Sequence, residues 1–183
     1  WQNNYNFTAV EEKNVILKEM KNDRPSGMNA LVFNTRKKLF KNPKVREAIS
    51  YAYDFEWINK TIYSNAYKRT NSYFDNSPLA SRNLPSNNEL KLLNKWKNII
   101  PKEVFLKTYA PPISDGNGNP RQNLRKAKMM LEKEGWFVKN GKLTKNEEDF
   151  VFEFLIVSPS LEKIGLAIYS TPSYKTIKTI ASP

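Results

Sequence analysis

Eleven prolines stand in this chain of 183 residues, and they are spread along it rather than gathered into one linker. A proline has a fixed φ and no amide hydrogen, so it sits in a turn, at a helix start or outside a central strand. The chain is therefore read as short elements between punctuation marks. Arg24-Pro25-Ser26-Gly27 is turn chemistry and marks a boundary. Met28–Asn34 (MNALVFN) has the apolar centre of a largely buried strand. Asn42-Pro43 starts a helix: Asn caps the free amides and Pro fills the first helical position. Val45, Ala48, Ile49 and Ala52 follow at helical spacing, with Lys44, Arg46 and Glu47 pointing away.

The same reading continues to the end. Glu11–Lys21 is expected to form one short helix. Asp54 caps a second helix, DFEWINKTIY, with Ile58 and Ile62 facing the core. Tyr67–Pro85 has no sustained period and many turn formers, so it is a long ordered loop, a class of segment that often carries function. Ser86-x-x-Glu89 is a capping box opening a helix with Leu90, Leu93 and Trp96, and Pro101 ends it. Pro111-Pro112 and DGNGNP (Asp115–Pro120) make an irregular connection. A helix follows from about Arg121, with Leu124, Ala127 and Leu131 on one face and Gly135 as its stop. Trp136–Val138, Asn140-Gly141 and Lys142–Thr144 form a hairpin, and Phe150–Val157 (FVFEFLIV) is a strand. This order points to an α/β or α+β fold.

Chemistry is limited by what is missing. The chain has neither histidine nor cysteine. That removes disulfides, thiolate nucleophiles, Ser-His-Asp triads and imidazole or thiolate metal sites. Glu147, Glu148 and Asp149 adjoin one another and are expected to fan outward in a solvated loop. DGNGN lacks the later acidic ligand a calcium loop requires. No cofactor and no metal is called for, and an enzyme is the least fitting class.

The formal net charge of +12 raises nucleic acid as a partner. The cations are dispersed, however, and the basic group Arg36, Lys37, Lys38 and Lys41 reads as a solvated turn. Phe33, Phe40 and Tyr51 fall where packing wants them, which leaves no interleaved aromatic platform. No apolar run approaches the ~20 residues of a membrane helix. The start at Trp1, without methionine, reads as a processed protein or a piece of a longer one. The loop YKRTNSYF, Tyr67–Phe74, combines a carboxylate binder, amides and ring faces, a mixture suited to a peptide or another amphipathic solute.

Several stretches together resemble a known family. Asn34, Phe40 with Asn42, Val45-Arg46-Glu47-Ala48 and Ala52-Tyr53-Asp54 match, in order, the signature of family 5 extracellular solute-binding proteins. These are the peptide and nickel receptors of ABC importers. Asn123–Trp136 (NLRKAKMMLEKEGW) is similar to a further helix of the family, and FEFLIVSPSLEK to a strand that returns towards the ligand cleft. RPSGMNALVFNTR, YKRTNSYFDNSPLA and PPISDGNGNPRQNLRKA look like the branch taking oligopeptides and microcin C-type conjugates. The likeness covers Trp1 to about Ile164.

This resemblance implies part of the C-terminal lobe of a type II periplasmic-binding-protein-like fold, of the peptide-binding type. Residues 1–27 would be a hinge-proximal segment from the preceding lobe and 28–164 the partial solute-binding lobe. Residues 165–183 depart from the family and read as an aberrant tail, a frameshift product or truncation remnant. The implied function is the periplasmic substrate-binding component of a peptide importer, monomeric, handing an oligopeptide or peptide conjugate to permease subunits and binding no nucleic acid. Ligand contacts are expected from Arg69, Asn71 and Tyr73 on the loop, and from Ser158, Ser160 and Glu162 past the last strand. Two other readings stand beside it: a non-functional remnant of a decayed transporter gene, and a basic nucleic-acid-binding module.

Overall fold

In the computed structural model, residues 4–20, 22, 24–25, 27–156 and 177–179 are described. The chain divides into two compact units, one formed by Trp1–Leu31 with Lys68–Pro111, the other by Val32–Tyr67 with Pro112–Pro183.

The second unit holds the core. Helix α2 (Lys38–Lys41) leads into α3 (Pro43–Tyr51), which begins as expected: the Asn42 side chain accepts from the Lys44 amide at 2.8 Å. The Nδ2 group of Asn42 donates to Glu134 Oε2 at 2.5 Å, so one amide caps α3 and ties it to the end of a later helix. Arg46 does not point away. It turns back and donates to the carbonyls of Phe40 (2.6 Å) and Lys41 (3.0 Å), satisfying the last carbonyls of α2, while Lys44 and Glu47 pair on the exposed side.

Helix α7 (Arg121–Lys133) packs along α3, burying Ala127 and Leu131 against Val45 and Ala48. Leu124, expected on the same face, is exposed. Gly135, at φ +84, stops the helix. The hairpin β1 (Phe137–Lys139) and β2 (Lys142–Lys145) turns at Asn140 (φ 50) and Gly141 (φ 75), a primed turn. Strand β3 (Glu148–Asp149) adds antiparallel to β2, so these two carboxylates lie on a strand rather than in a loop. They remain exposed and meet Lys38 at 2.9 Å and Lys142 at 3.1 Å.

Phe150–Val157 was expected to be one strand. Paired structure begins later, with β4 (Phe154–Ile156) parallel to β5 (Ile177–Thr179). Phe150, Phe152 and Phe154 still alternate inward with exposed Val151, Glu153 and Leu155, because an extended backbone keeps the two-residue period without a ladder partner. Their rings continue a row of edge contacts: Trp136 to Phe150 (4.9 Å, 89°), Phe150 to Phe152, Phe152 to Phe40, and Phe40 to Phe33. Such T-shaped pairs favour the positive ring edge against the negative face.

In the first unit, α1 spans Thr8–Glu11 instead of beginning at Glu11. Lys13 takes φ 63 and breaks the helix, and the following Asn-Val-Ile stretch has poor helix propensity with no apolar face buried. Helix α5 (Asn87–Leu93) opens on the expected capping box and runs into a 3₁₀ turn, Asn94–Trp96. A short α6 (Glu103–Leu106) follows. Met28–Asn34 is not a strand: no described residue pairs with it, and Val32 is 90% exposed. A strand forms only when its amides and carbonyls find a neighbour.

Candidate solute-binding site

The site grows out of helix α4 (Phe55–Thr61). Asp54, fully buried, caps it by accepting from the Trp57 amide at 3.1 Å. Ser114 then locks this start. Its hydroxyl lies against both Asp54 Oδ1 and Glu56 Oε2, the latter at 2.9 Å, while its amide donates to Glu56 Oε2 at 3.0 Å. One hydroxyl proton serves one carboxylate at a time. The Ser114 oxygen also accepts from the Gly116 amide at 3.1 Å, which closes the glycine turn.

That turn is built from its own side chains: Asp115 accepts from the Asn117 amide, and Asn117 from the Asn119 amide. Gly118, at φ +79, lies against the Trp57 indole. DGNGN is therefore a clasp on the start of α4. Among the described residues no group of three acidic side chains is placed to hold a metal.

The other end of α4 roots the long loop. Asn59 clamps Tyr67, donating to its carbonyl at 2.7 Å and accepting from its amide at 3.1 Å. Tyr63 packs edge-on against the Tyr67 ring at 4.8 Å. From Lys68 the loop is held by its own serines. Ser72 Oγ accepts from the amides of Phe74 (3.3 Å) and Ser81 (3.1 Å), and Ser77 Oγ donates to the Phe74 carbonyl at 2.7 Å. Asn76, at φ 56, donates to the carbonyls of Asn22 and Arg24 and fastens the loop to the first segment of its own unit.

Of the three loop residues singled out from sequence, Arg69 is half-buried and Asn71 is exposed. Tyr73 is 80% exposed, with Phe74 and Leu79 also on the surface. All three come from one loop, and no hydrogen bond joins them to each other. Ser158, Ser160 and Glu162 lie outside the described residues. Sequence reasoning missed Ser114 and Glu56, which stand 58 to 60 residues from and two residues after the cap that they complete. A separate shallow cavity of about 230 Å³, lined by Lys44, Met130, Lys133 and Glu134, is smaller than the usual solute pocket.

Solved structures place this architecture. The chain superposes on the oligopeptide-binding protein AppA of Bacillus subtilis, solved with a nonapeptide, with a TM-score of 0.50 and 22% identity over 81% of this chain and 25% of AppA. NikZ of Campylobacter jejuni, solved with Ni(L-His), gives 0.52 and 22% over 82% of this chain and 25% of NikZ. The fold is thus α/β, that of part of the lobe of a periplasmic solute-binding protein.

The chain belongs to the bacterial extracellular solute-binding proteins, family 5, whose middle-region family model matches residues 3–171. Among its relatives is the peptidoglycan-binding protein YepA of Agrobacterium fabrum, 41% identical over 169 residues, which are 91% of this chain and 28% of YepA. The probable peptide-binding protein YejA of the same organism is 36% identical over 89% of this chain and 27% of that protein. The chain spans little more than a quarter of the length of these relatives. Among the described residues no helix is long and apolar enough to cross a membrane.

Proposed function

We propose that this chain forms one wall of a periplasmic receptor that binds oligopeptides or peptide conjugates and delivers them, as a monomer, to the permease of an ABC importer. One observation supports the reading above the others. A long loop is rigidly closed by its own serines, yet it leaves Asn71 and the Tyr73 ring turned to solvent beside half-buried Arg69. A ring face, an amide and a guanidinium suit a peptide main chain and terminus. Ser158, Ser160 and Glu162 are proposed to complete the contact. The family's binding role accords with a protein that performs no chemistry on its ligand.

A solute receptor gains affinity by desolvating its ligand between two walls, so the chain by itself should bind weakly. The test is calorimetric titration of short peptides into a chimera in which this chain replaces the 169 matching residues of Agrobacterium YepA. Saturable binding that falls at least tenfold in Tyr73→Ala is expected, about 1.4 kcal/mol. Flat traces across a varied peptide set would overturn the proposal.

A further inference from the structure

The first unit has an unusual deficit. Every buried hydrophobic side chain among the described residues (Phe40, Val45, Ala48, Ile58, Ala127, Leu131, Trp136 and Phe150) belongs to the second unit. Within Trp1–Leu31 and Lys68–Pro111 no described aliphatic or aromatic side chain is buried. A segment of this size is ordered by an apolar core or by a surface that covers it.

Helix α5 shows where such cover would lie. Leu92, Trp96 and Ile99 recur at the i, i+4, i+7 spacing of one helical stripe, and the helical turns continue through the bonds from Ile99 and Ile100 to the Trp96 carbonyl. They are 66%, 59% and 76% exposed. Lys91 and Lys95 flank the stripe one position before it, and Lys97, Lys102 and Lys107 follow. None of these five lysines makes an ion pair among the described residues. Between Lys68 and Pro111 stand eight cations and three carboxylates.

We infer that the Leu92–Trp96–Ile99 stripe is a docking seam for a companion polypeptide supplied by the same type of receptor, one presenting an apolar surface rimmed with carboxylates. Three observations select this occupant. The uncovered stripe lies in a unit without a core, so the contact is structural rather than transient. Relatives carry this region within chains that it spans by only 28%, so polypeptide of the right origin exists to cover it. A second copy is disfavoured by charge, because a two-fold contact would set Lys91 and Lys95 of both copies around one apolar patch without counter-charges. The inference rests on family membership and is independent of which ligand the loop binds.

The experiment mixes the intact chain with a companion made from Agrobacterium YepA, in which a Gly/Ser linker replaces its 169 matching residues. Size-exclusion chromatography should show a one-to-one complex, and the amides of residues 88–100 should exchange at least tenfold more slowly in it than in the chain alone. Leu92→Asp with Ile99→Asp should weaken assembly at least tenfold, and Lys91→Glu with Lys95→Glu should weaken it and reduce its salt dependence. All four positions are exposed, so the circular dichroism of the chain alone should not change.

Several results would overturn the seam: no complex, a complex indifferent to the stripe variants, a homodimer broken by Leu92→Asp, or retention on anionic phospholipid vesicles in preference to the companion. Peptide titration of the complex separates the two proposals. Assembly without peptide binding removes the proposed ligand and leaves the seam standing. Peptide binding by Tyr73-intact chains that ignore the stripe variants does the reverse.

Discussion

Gly118→Ala tests the clasp on helix α4. A Cβ at Gly118 would stand 2.6 Å from Trp57 Nε1 and 2.9 Å from its Cδ1 and Cε2. Two costs follow. At φ +79 an L-residue occupies the left-handed region, worth about 1–2 kcal/mol. The overlap then forces the indole or the turn to shift, worth about 1–3 kcal/mol in an overpacked site. Together the loss is about 2–5 kcal/mol. Gly141→Ala supplies the control, because Gly141 has φ +75 but open space where its Cβ would go. It should lose only the backbone share, about 1–2 kcal/mol. Urea melts followed by tryptophan fluorescence measure both. In a Trp57→Ala background, the Gly118→Ala penalty should shrink to that of Gly141→Ala. Equal losses at the two glycines, or a Gly118 penalty unchanged without the indole, would refute the argument.

Two further outcomes are expected. Phe150→Ala removes a fully buried ring from the edge-packed row and should cost about 3–5 kcal/mol, with loss of the near-ultraviolet dichroism contributed by Trp136. Glu89 is held below the usual glutamate value of 4.5, first by the Ser86 hydroxyl and then by the Ser86 amide, with slight desolvation opposing them. Because its folded value is depressed, the capping-box contribution is fully present above the ordinary glutamate range and is lost as pH falls through the depressed value. The Ser86 amide resonance should follow that titration, and Glu89→Gln should abolish it.

Helix starts were legible because their chemistry is local. Asn42-Pro43, Asp54 and Ser86-x-x-Glu89 each place a cap within three residues of the amide it serves, and Asn140-Gly141 carries its own backbone preference. Strands were not, since their existence depends on a partner: Met28–Asn34 has the composition of a strand and no neighbour, and only the end of FVFEFLIV is paired. Helices α2 and α6, at four residues each, are too short to show a period. Arg46 was assigned to solvent by spacing, yet a long side chain reaches back around its own helix when bare carbonyls lie within range. At the candidate site, the loop and its composition were readable. The clasp formed by Ser114 was not, because no pattern in sequence joins residues sixty apart.

The double duty of Asn42 constrains what can replace it. An aspartate would keep the acceptor for Lys44 and serve equally well as a helix cap. It would also exchange the donor facing Glu134 for a second negative charge at contact distance. The two positions, 92 residues apart, are thus bound by a rule of charge parity: a variant with an acid at 42 should need an amide or a base at 134, and neither change would be tolerated as well alone.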